Sequence, residues 1–199
     1  MARASFEKRP GLRPSGAILW EIILMSLGNE IVIRELTVND VNGFINLKNI
    51  GLRSDPKSFL ADLSDDNEDY KNEVTKRIEK SSIENGDIVL GAFIKDDLIG
   101  ISSITRSRNR KRLHKADLHG MYIKPEYRGI GLGKKLLERI LEMSRKMNGL
   151  EEIQLIVAAH NDPVKRLYEK YGFTVMMKEE HALKMGNEYV DAYHMKLGL

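Results

Sequence analysis

The sequence predicts a single α/β domain built on one mixed, mostly antiparallel sheet flanked by helices, and three observations predict it. Strand-like runs follow one another across short turns at 87–94 and 98–105, and again at 173–178 and 189–197, as antiparallel hairpins do. A further pair, 116–123 and 153–159, is separated by an amphipathic helix; that connection requires a crossover, so these two strands should be parallel neighbours. At 199 residues, 42% of them apolar and 31% charged, the chain is long enough for one domain with a sizeable core.

Residues 1–28 read as an N-terminal extension and 29–199 as the domain. Four basic residues (Arg3, Lys8, Arg9, Arg13) and two prolines precede an apolar patch, Ala17 to Leu27. That patch is about half the length needed to span a bilayer and contains Glu21, so no membrane partner is expected. An uninterrupted apolar core with a small-residue cleavage site, the mark of a signal peptide, is not evident. Met25 is a candidate natural first residue; an amphipathic clasp on the domain or a partner is the alternative.

Ile31 to Glu35 alternates like a first strand. Thr37, with Asp40 three residues on, is a good N-cap for a helix through Phe44, Leu47 and Ile50, which Asp55-Pro56 breaks. The acidic residues Asp62, Asp65, Asp66, Glu68, Asp69 and Glu73 lead into a second helix ending near Lys80. They read as an exposed helix N-terminus, with attraction of a cationic amine as the alternative. The strands 87–94 and 98–105 meet at Lys95-Asp96-Asp97. Residues 106–115 then carry six Lys or Arg in ten positions. A solvated hairpin loop is the favoured reading over steering of an anionic ligand or contact with RNA, since no aromatic side chains interleave for base stacking. A net charge of +3 is too small to argue for nucleic acid.

The strand 116–123 enters Lys124-Pro125-Glu126-Tyr127-Arg128-Gly129-Ile130-Gly131-Leu132-Gly133, and a helix leaves it. Leu132, Leu136, Leu137, Ile140, Leu141 and Met147 share one face of that helix, opposite Lys134, Lys135, Glu138, Arg139, Glu142 and Arg145. Glycines free the turn for unusual dihedrals, so successive amides can converge, and the first amides of a helix lack internal partners and carry the positive dipole end. This turn should hold a phosphate. It is not a Walker loop: Arg128 stands five residues before Gly133, where glycine is needed, and Lys135 follows Lys134. G-x-G-x-G is not the G-x-G-x-x-G of a dinucleotide site either. Asn148-Gly149 should stop the helix.

After the buried-strand pattern 153–159 comes Asn161-Asp162-Pro163, a helix start that Gly172 ends. Arg128-x-x-Gly131-x-Gly133, together with Asn161, Leu167-Tyr168-Glu169 and Gly172-Phe173, resembles the two signatures of the GNAT superfamily of N-acetyltransferases. The match covers residues 30–197 and departs at Val164, where alanine is usual.

The resemblance implies a GNAT-like fold, with the sheet splayed between its two central parallel strands, and acetyl-CoA as cosubstrate. It places the pyrophosphate on Arg128, Gly129, Ile130, Gly131, Leu132, Gly133 and Lys134. The pantetheine arm and thioester carbonyl would lie on main-chain groups of Met121, Tyr122 and Ile123, and Asn161 and Tyr168 would also contact CoA. An acceptor amine completes the partners, and a homodimer is left open. Tyr168 is the candidate general acid, facing the CoA sulfur; its place in an i, i+3, i+4, i+7 stripe with Val164, Leu167 and Tyr171 also suits a core residue. For the base, strand alternation puts His119 on the same face as Met121. Asp117, Glu126 and a water chain are its rivals.

With no cysteine, a covalent thiol intermediate is excluded, so transfer should be direct; a cytoplasmic location is expected. The five histidines show no metal-ligand spacing, so no metal is expected. The competing classes are a CoA-binding module without catalysis and an RNA- or ribosome-associated protein.

Overall fold

Period-two runs become strands and period-3.6 runs become helices in the computed structural model, which describes residues 31–58 and 67–199. The elements are β1 (Ile31–Glu35), α1 (Val41–Ser54), α2 (Glu68–Glu79), β2 (Asp87–Ile94), β3 (Asp97–Arg106), β4 (Lys115–Ile123), α3 (Leu132–Ser144), β5 (Glu152–Ala158), α4 (Asp162–Lys170), β6 (Thr174–Met185) and β7 (Glu188–Gly198). They form one seven-stranded sheet in the order β1-β2-β3-β4-β5-β7-β6. The expected extension and Asp62, Asp65 and Asp66 lie outside the described residues. Among the described residues no helix is long and apolar enough to cross a membrane.

Every neighbouring pair is antiparallel except β4 and β5. These two are parallel, and they pair only at Lys115↔Glu152, Ala116↔Ile153 and Asp117↔Gln154. Beyond Asp117 they part, as the resemblance implied.

Helices cover both faces. Leu132, Leu136, Leu137, Ile140 and Leu141 of α3 pack with Ile88, Leu90, Ile99, Ile104 and Leu118, and Tyr168 of α4 joins this layer. Phe44 and Leu47 of α1 and Val74 and Ile78 of α2 pack on the opposite face with Val89, Phe93, Ile101 and Tyr122. Strand β2 contributes to both layers, which explains its unbroken apolar sequence. Leu136 is fully buried, so Leu136→Ala should cost about 2–5 kcal/mol.

Three boundaries differ from expectation, each for a local reason. Thr37 opens a 3-10 turn, Val38–Asp40, before α1 begins. There Asp40 accepts from the Thr37 amide at 2.7 Å and from both arms of the Arg34 guanidinium at 2.7 and 2.9 Å. That guanidinium, with the Thr37 bonds, holds the Asp40 carboxyl at about 2. Helix α3 ends at Ser144, short of Asn148-Gly149, and Met147 reaches the core from a following turn whose amide donates to the Ser144 carbonyl at 3.0 Å. Strands β6 and β7 are longer than expected. The polar run Glu179-Glu180-His181 hides the continuation of β6, where a bulge is pinned by the His181 amide donating to Asp191 Oδ1 at 3.0 Å.

The basic loop behaves as a solvated hairpin connection. Arg106 donates to the Asn148 carbonyl at 2.9 Å, Arg108 pairs with Asp87, and Arg112 donates to Gln154 at 3.1 Å. The loop enters β4 at the end opposite the glycine-rich turn, so it does not front that turn.

Candidate active site

The glycine-rich turn forms as its residue types require. Gly129 and Gly131 have φ of +82° and +81°, in the left-handed region that costs a non-glycine residue roughly 1–2 kcal/mol. A Cβ at either would meet nothing within 4 Å, so conformation rather than crowding demands glycine there. At Gly133 a Cβ would lie 3.3 Å from Ile123 Cδ1, a packing demand. Arg128 folds back, its Nε donating to the Ile123 carbonyl at 3.0 Å and its guanidinium 5.3 Å from the Tyr122 ring. The Arg128 amide donates to the Pro125 carbonyl at 3.2 Å, and the next amide with a backbone acceptor is that of Lys135, which donates to Gly131 at 3.1 Å. Among the described residues the amides of Gly129 through Lys134 have no backbone acceptor, so the cradle suits a diphosphate.

Beside this turn, β4 carries a bulge. Tyr122 pairs with Ile101 and His119 with Ser103, so Gly120 and Met121 together oppose Ser102 alone. Gly120 has φ of +65°, as a bulge of this kind needs. The extra residue resets the alternation. Ala116 and Leu118 face the α3 layer, and after the bulge so do Met121 and Ile123, while Tyr122 faces the α1/α2 layer. The expectation that His119 and Met121 share a face is therefore corrected: they lie on opposite faces.

Tyr168 reaches this point from α4. It is buried, its ring lies tilted against that of Phe173 with centroids 5.5 Å apart, and its hydroxyl donates to Met121 Sδ at 3.8 Å. Burial raises its pKa above the ordinary phenol value, so it remains a neutral donor. The core reading of Tyr168 holds for its ring, and its hydroxyl reaches Met121, near where β4 and β5 part.

On the other face His119 meets α2. Its Nε2 lies 3.0 Å from Thr105 Oγ1 and 3.4 Å from Arg77 Nη2. The residue is exposed to solvent on one side, while Arg77 of α2 and Thr105 of β3 lie against its ring. Desolvation, then the charges of Arg77 and Lys48, lower its pKa to about 4, so it is neutral at pH 7. Tyr122 has its hydroxyl 3.0 Å from Ser54 Oγ on this same face. Of the rival bases, Asp117 and Glu126 are both exposed, on β4 and in the turn after it.

Asn161 does not cap α4 through its side chain; Nδ2 instead donates to Ser58 Oγ at 3.4 Å, and His160 Nε2 lies 3.5 Å from the same hydroxyl. Lys57 pairs with Glu188 at 2.5 Å, so the segment after α1 touches both the β5–α4 turn and the last hairpin. Sequence reasoning missed Gly120, Arg77 and Lys48. A glycine inside a strand pattern signals a bulge and would have found the first. Arg77 and Lys48 look like any solvated helix cation. Among the described residues no group of His, Asp and Glu side chains could hold a metal.

Residues 52–173 match the model of the Acetyltransferase (GNAT) family. Over 107 residues the chain is 33% identical to the L-amino acid N-acetyltransferase AaaT of Escherichia coli (strain K12), covering 53% of this chain and 65% of that protein. The chain thus spans just under two thirds of the length of the curated relatives it matches. The crystal structure of a GNAT-family acetyltransferase from Streptococcus pneumoniae superposes with a TM-score of 0.75 at 25% identity, covering 85% of this chain and 100% of that one. The spermidine N-acetyltransferase of Vibrio cholerae, in complex with CoA and spermine, gives a TM-score of 0.71 at 22% identity, covering 85% and 96%.

Proposed function

The chain belongs to the Acetyltransferase (GNAT) family, and from that premise we propose that it moves the acetyl group of acetyl-CoA directly to a primary amine, of a small molecule or of a protein N-terminus or lysine. The observation that carries this reading is the parting of β4 from β5 beyond Asp117, with the Tyr168 hydroxyl at Met121 beside it. Unpaired strand amides there suit a thioester carbonyl, whose oxygen becomes an anion when the amine nitrogen attacks. The open amides of Gly129 to Lys134 support the pyrophosphate, and Asn161, at the start of α4, is a further proposed contact to CoA. The cysteine-free composition supports direct transfer and a cytoplasmic setting.

In the step proposed, the C–N bond forms, the tetrahedral intermediate collapses, and the C–S bond breaks. Tyr168 donates to the departing sulfur. Because a buried phenolate is costlier than a thiolate, hydrogen-bond donation is the larger part of that role, with solvent completing protonation. The amine proton leaves on the α1/α2 face, where His119 is unprotonated across the neutral range. A base works best with a pKa near the operating pH, so His119 with a pKa of about 4 contributes at the low end of general-base catalysis, alone or through water.

Calorimetric titration with acetyl-CoA and a thiol-release assay over a panel of amines test the reading. Micromolar binding with amine-dependent thiol release is expected. No binding at millimolar acetyl-CoA overturns the whole reading; binding without release for any amine leaves a CoA-binding module in its place.

A further inference from the structure

Two half-buried cations meet on the α1/α2 face with no carboxylate partner among the described residues. Lys48 Nζ donates to the Tyr70 hydroxyl at 2.5 Å and lies 4.6 Å from its ring. Among the described residues, Arg77 Nη2 has the ring of His119 as its hydrogen-bonding neighbour, at 3.4 Å. Asp87 and Glu73 act on Arg77 at longer range, and Asp87 is already paired with Arg108. Tyr70, which holds Lys48, and Arg77 stand seven residues apart on α2, two turns along one face, so the two cations flank the same stretch of that helix. Protein interiors pair their charges, because an unpaired one loses hydration without recompense. Partly buried charges left this way suit an anion that comes from outside.

The position of the cluster says which molecule brings that anion. His119 immediately precedes Gly120 and Met121, the bulge residues on the strand edge that β5 leaves open. Tyr168 and the glycine-rich turn are reached from the opposite face of the sheet. An acetyl donor seated on that side leaves the Arg77 side for the acceptor. A guanidinium presents a flat pair of donors matched to a carboxylate, and the Thr105 hydroxyl and Lys48 ammonium extend the same surface.

We propose that Arg77 and Lys48, with Thr105, receive a carboxylate carried by the acceptor and so hold its amine beside His119 at the open edge of β4. The acceptor is then an amino acid or a similar amine that bears a carboxylate, and polyamines are disfavoured by like charge. This rests on the acetyl-transfer reading above and narrows its substrate class.

The test compares a free L-amino acid, its amide, its decarboxylated amine and spermidine by thiol release, with the wild type, Arg77→Gln and Arg77→Lys. The wild type should favour the free amino acid in kcat/KM by about tenfold or more over the other three. Arg77→Gln should remove that preference, chiefly by raising KM for the amino acid about ten- to hundredfold, while the amide and amine change by less than about threefold. Arg77→Lys should restore part of it, since it keeps the charge and loses the fork. Unchanged acetyl-CoA affinity by calorimetry shows that the variants are folded. Equal use of the amide and amine by the wild type, preference for spermidine, or an equal loss for all acceptors in Arg77→Gln overturns the carboxylate proposal and leaves acetyl transfer standing. Absence of thiol release with every acceptor removes both.

Discussion

The hydroxyl of Tyr168 donates to the thioether of Met121 at 3.8 Å, joining α4 to β4 at the place where the parallel strands separate. A thioether is a weak acceptor, so this buried hydroxyl gives up little when a better one, such as a departing thiolate, arrives. Tyr168→Phe keeps the ring and its 5.5 Å contact with Phe173. Its stability should stay within about 1 kcal/mol of wild type while kcat falls by about ten- to hundredfold. Turnover within a factor of two of wild type, measured at saturating acetyl-CoA, removes the assigned role.

The glycine-rich turn separates conformational from steric need. Gly131→Ala puts a side chain at φ of +81° in open space, so the turn must either strain by about 1–2 kcal/mol or rearrange. Acetyl-CoA affinity should fall about tenfold or more, because the amides no longer converge. Gly133→Ala meets Ile123 Cδ1 at 3.3 Å, which a small side-chain shift relieves, and Leu167 Cδ2 at an ordinary 3.7 Å, and should change affinity by less than about threefold. Calorimetry on the two variants decides it; equal losses would mean that the left-handed backbone is not what the ligand needs.

Much of this architecture was legible because single residue types carried it. The stripe from Leu132 to Leu141 gave α3 its buried face, and the crossover between β4 and β5 required their parallel pairing. The glycine-rich turn was legible because a left-handed backbone, as at Gly129 and Gly131, leaves few other residue types there. The faces of the site were not. One bulge at Gly120 reversed the alternation on which His119 was placed; a glycine inside the strand pattern was its one mark in the sequence, and alternation read across that glycine puts His119 on the wrong face. Arg77 became a site candidate only when folding brought α2 over β4, 42 residues away in sequence. Glu179 to His181 hid the middle of β6 because a bulge tolerates polar side chains where a regular strand alternates.

His119 links the site to acid stability. Its folded pKa of about 4 lies below the unfolded value near 6.5, so the folded state binds fewer protons between those values. Its contribution is therefore fully present above about pH 6.5 and is lost as pH falls toward 4. The urea midpoint of the wild type should drop more steeply over that window than the midpoint of His119→Asn. Parallel slopes would show that the ring is not desolvated beside Arg77 and Lys48. In turnover, the same variant should lose less than about tenfold at pH 7, because a base this weak supplies little of the usual hundredfold; a larger loss would make His119 the principal base.

Gly120 provides the sharpest separation of geometry from binding. With φ of +65° it holds the bulge that turns Met121 toward Tyr168, and Ser103 Oγ at 3.9 Å leaves room for a methyl group. Alanine there is strained through its backbone alone, by about 1–2 kcal/mol, and relieving that strain flattens the bulge. The glycine-rich turn from Arg128 starts eight residues later and should be untouched by such a shift. Gly120→Ala should therefore lower kcat by about tenfold or more while CoA affinity changes by less than about threefold, since misplacing a reacting group by a fraction of an ångström costs rate before it costs binding. A lower urea midpoint with unchanged kcat would show that the bulge serves only the fold, and the alignment of Met121 with Tyr168 would then have no part in catalysis.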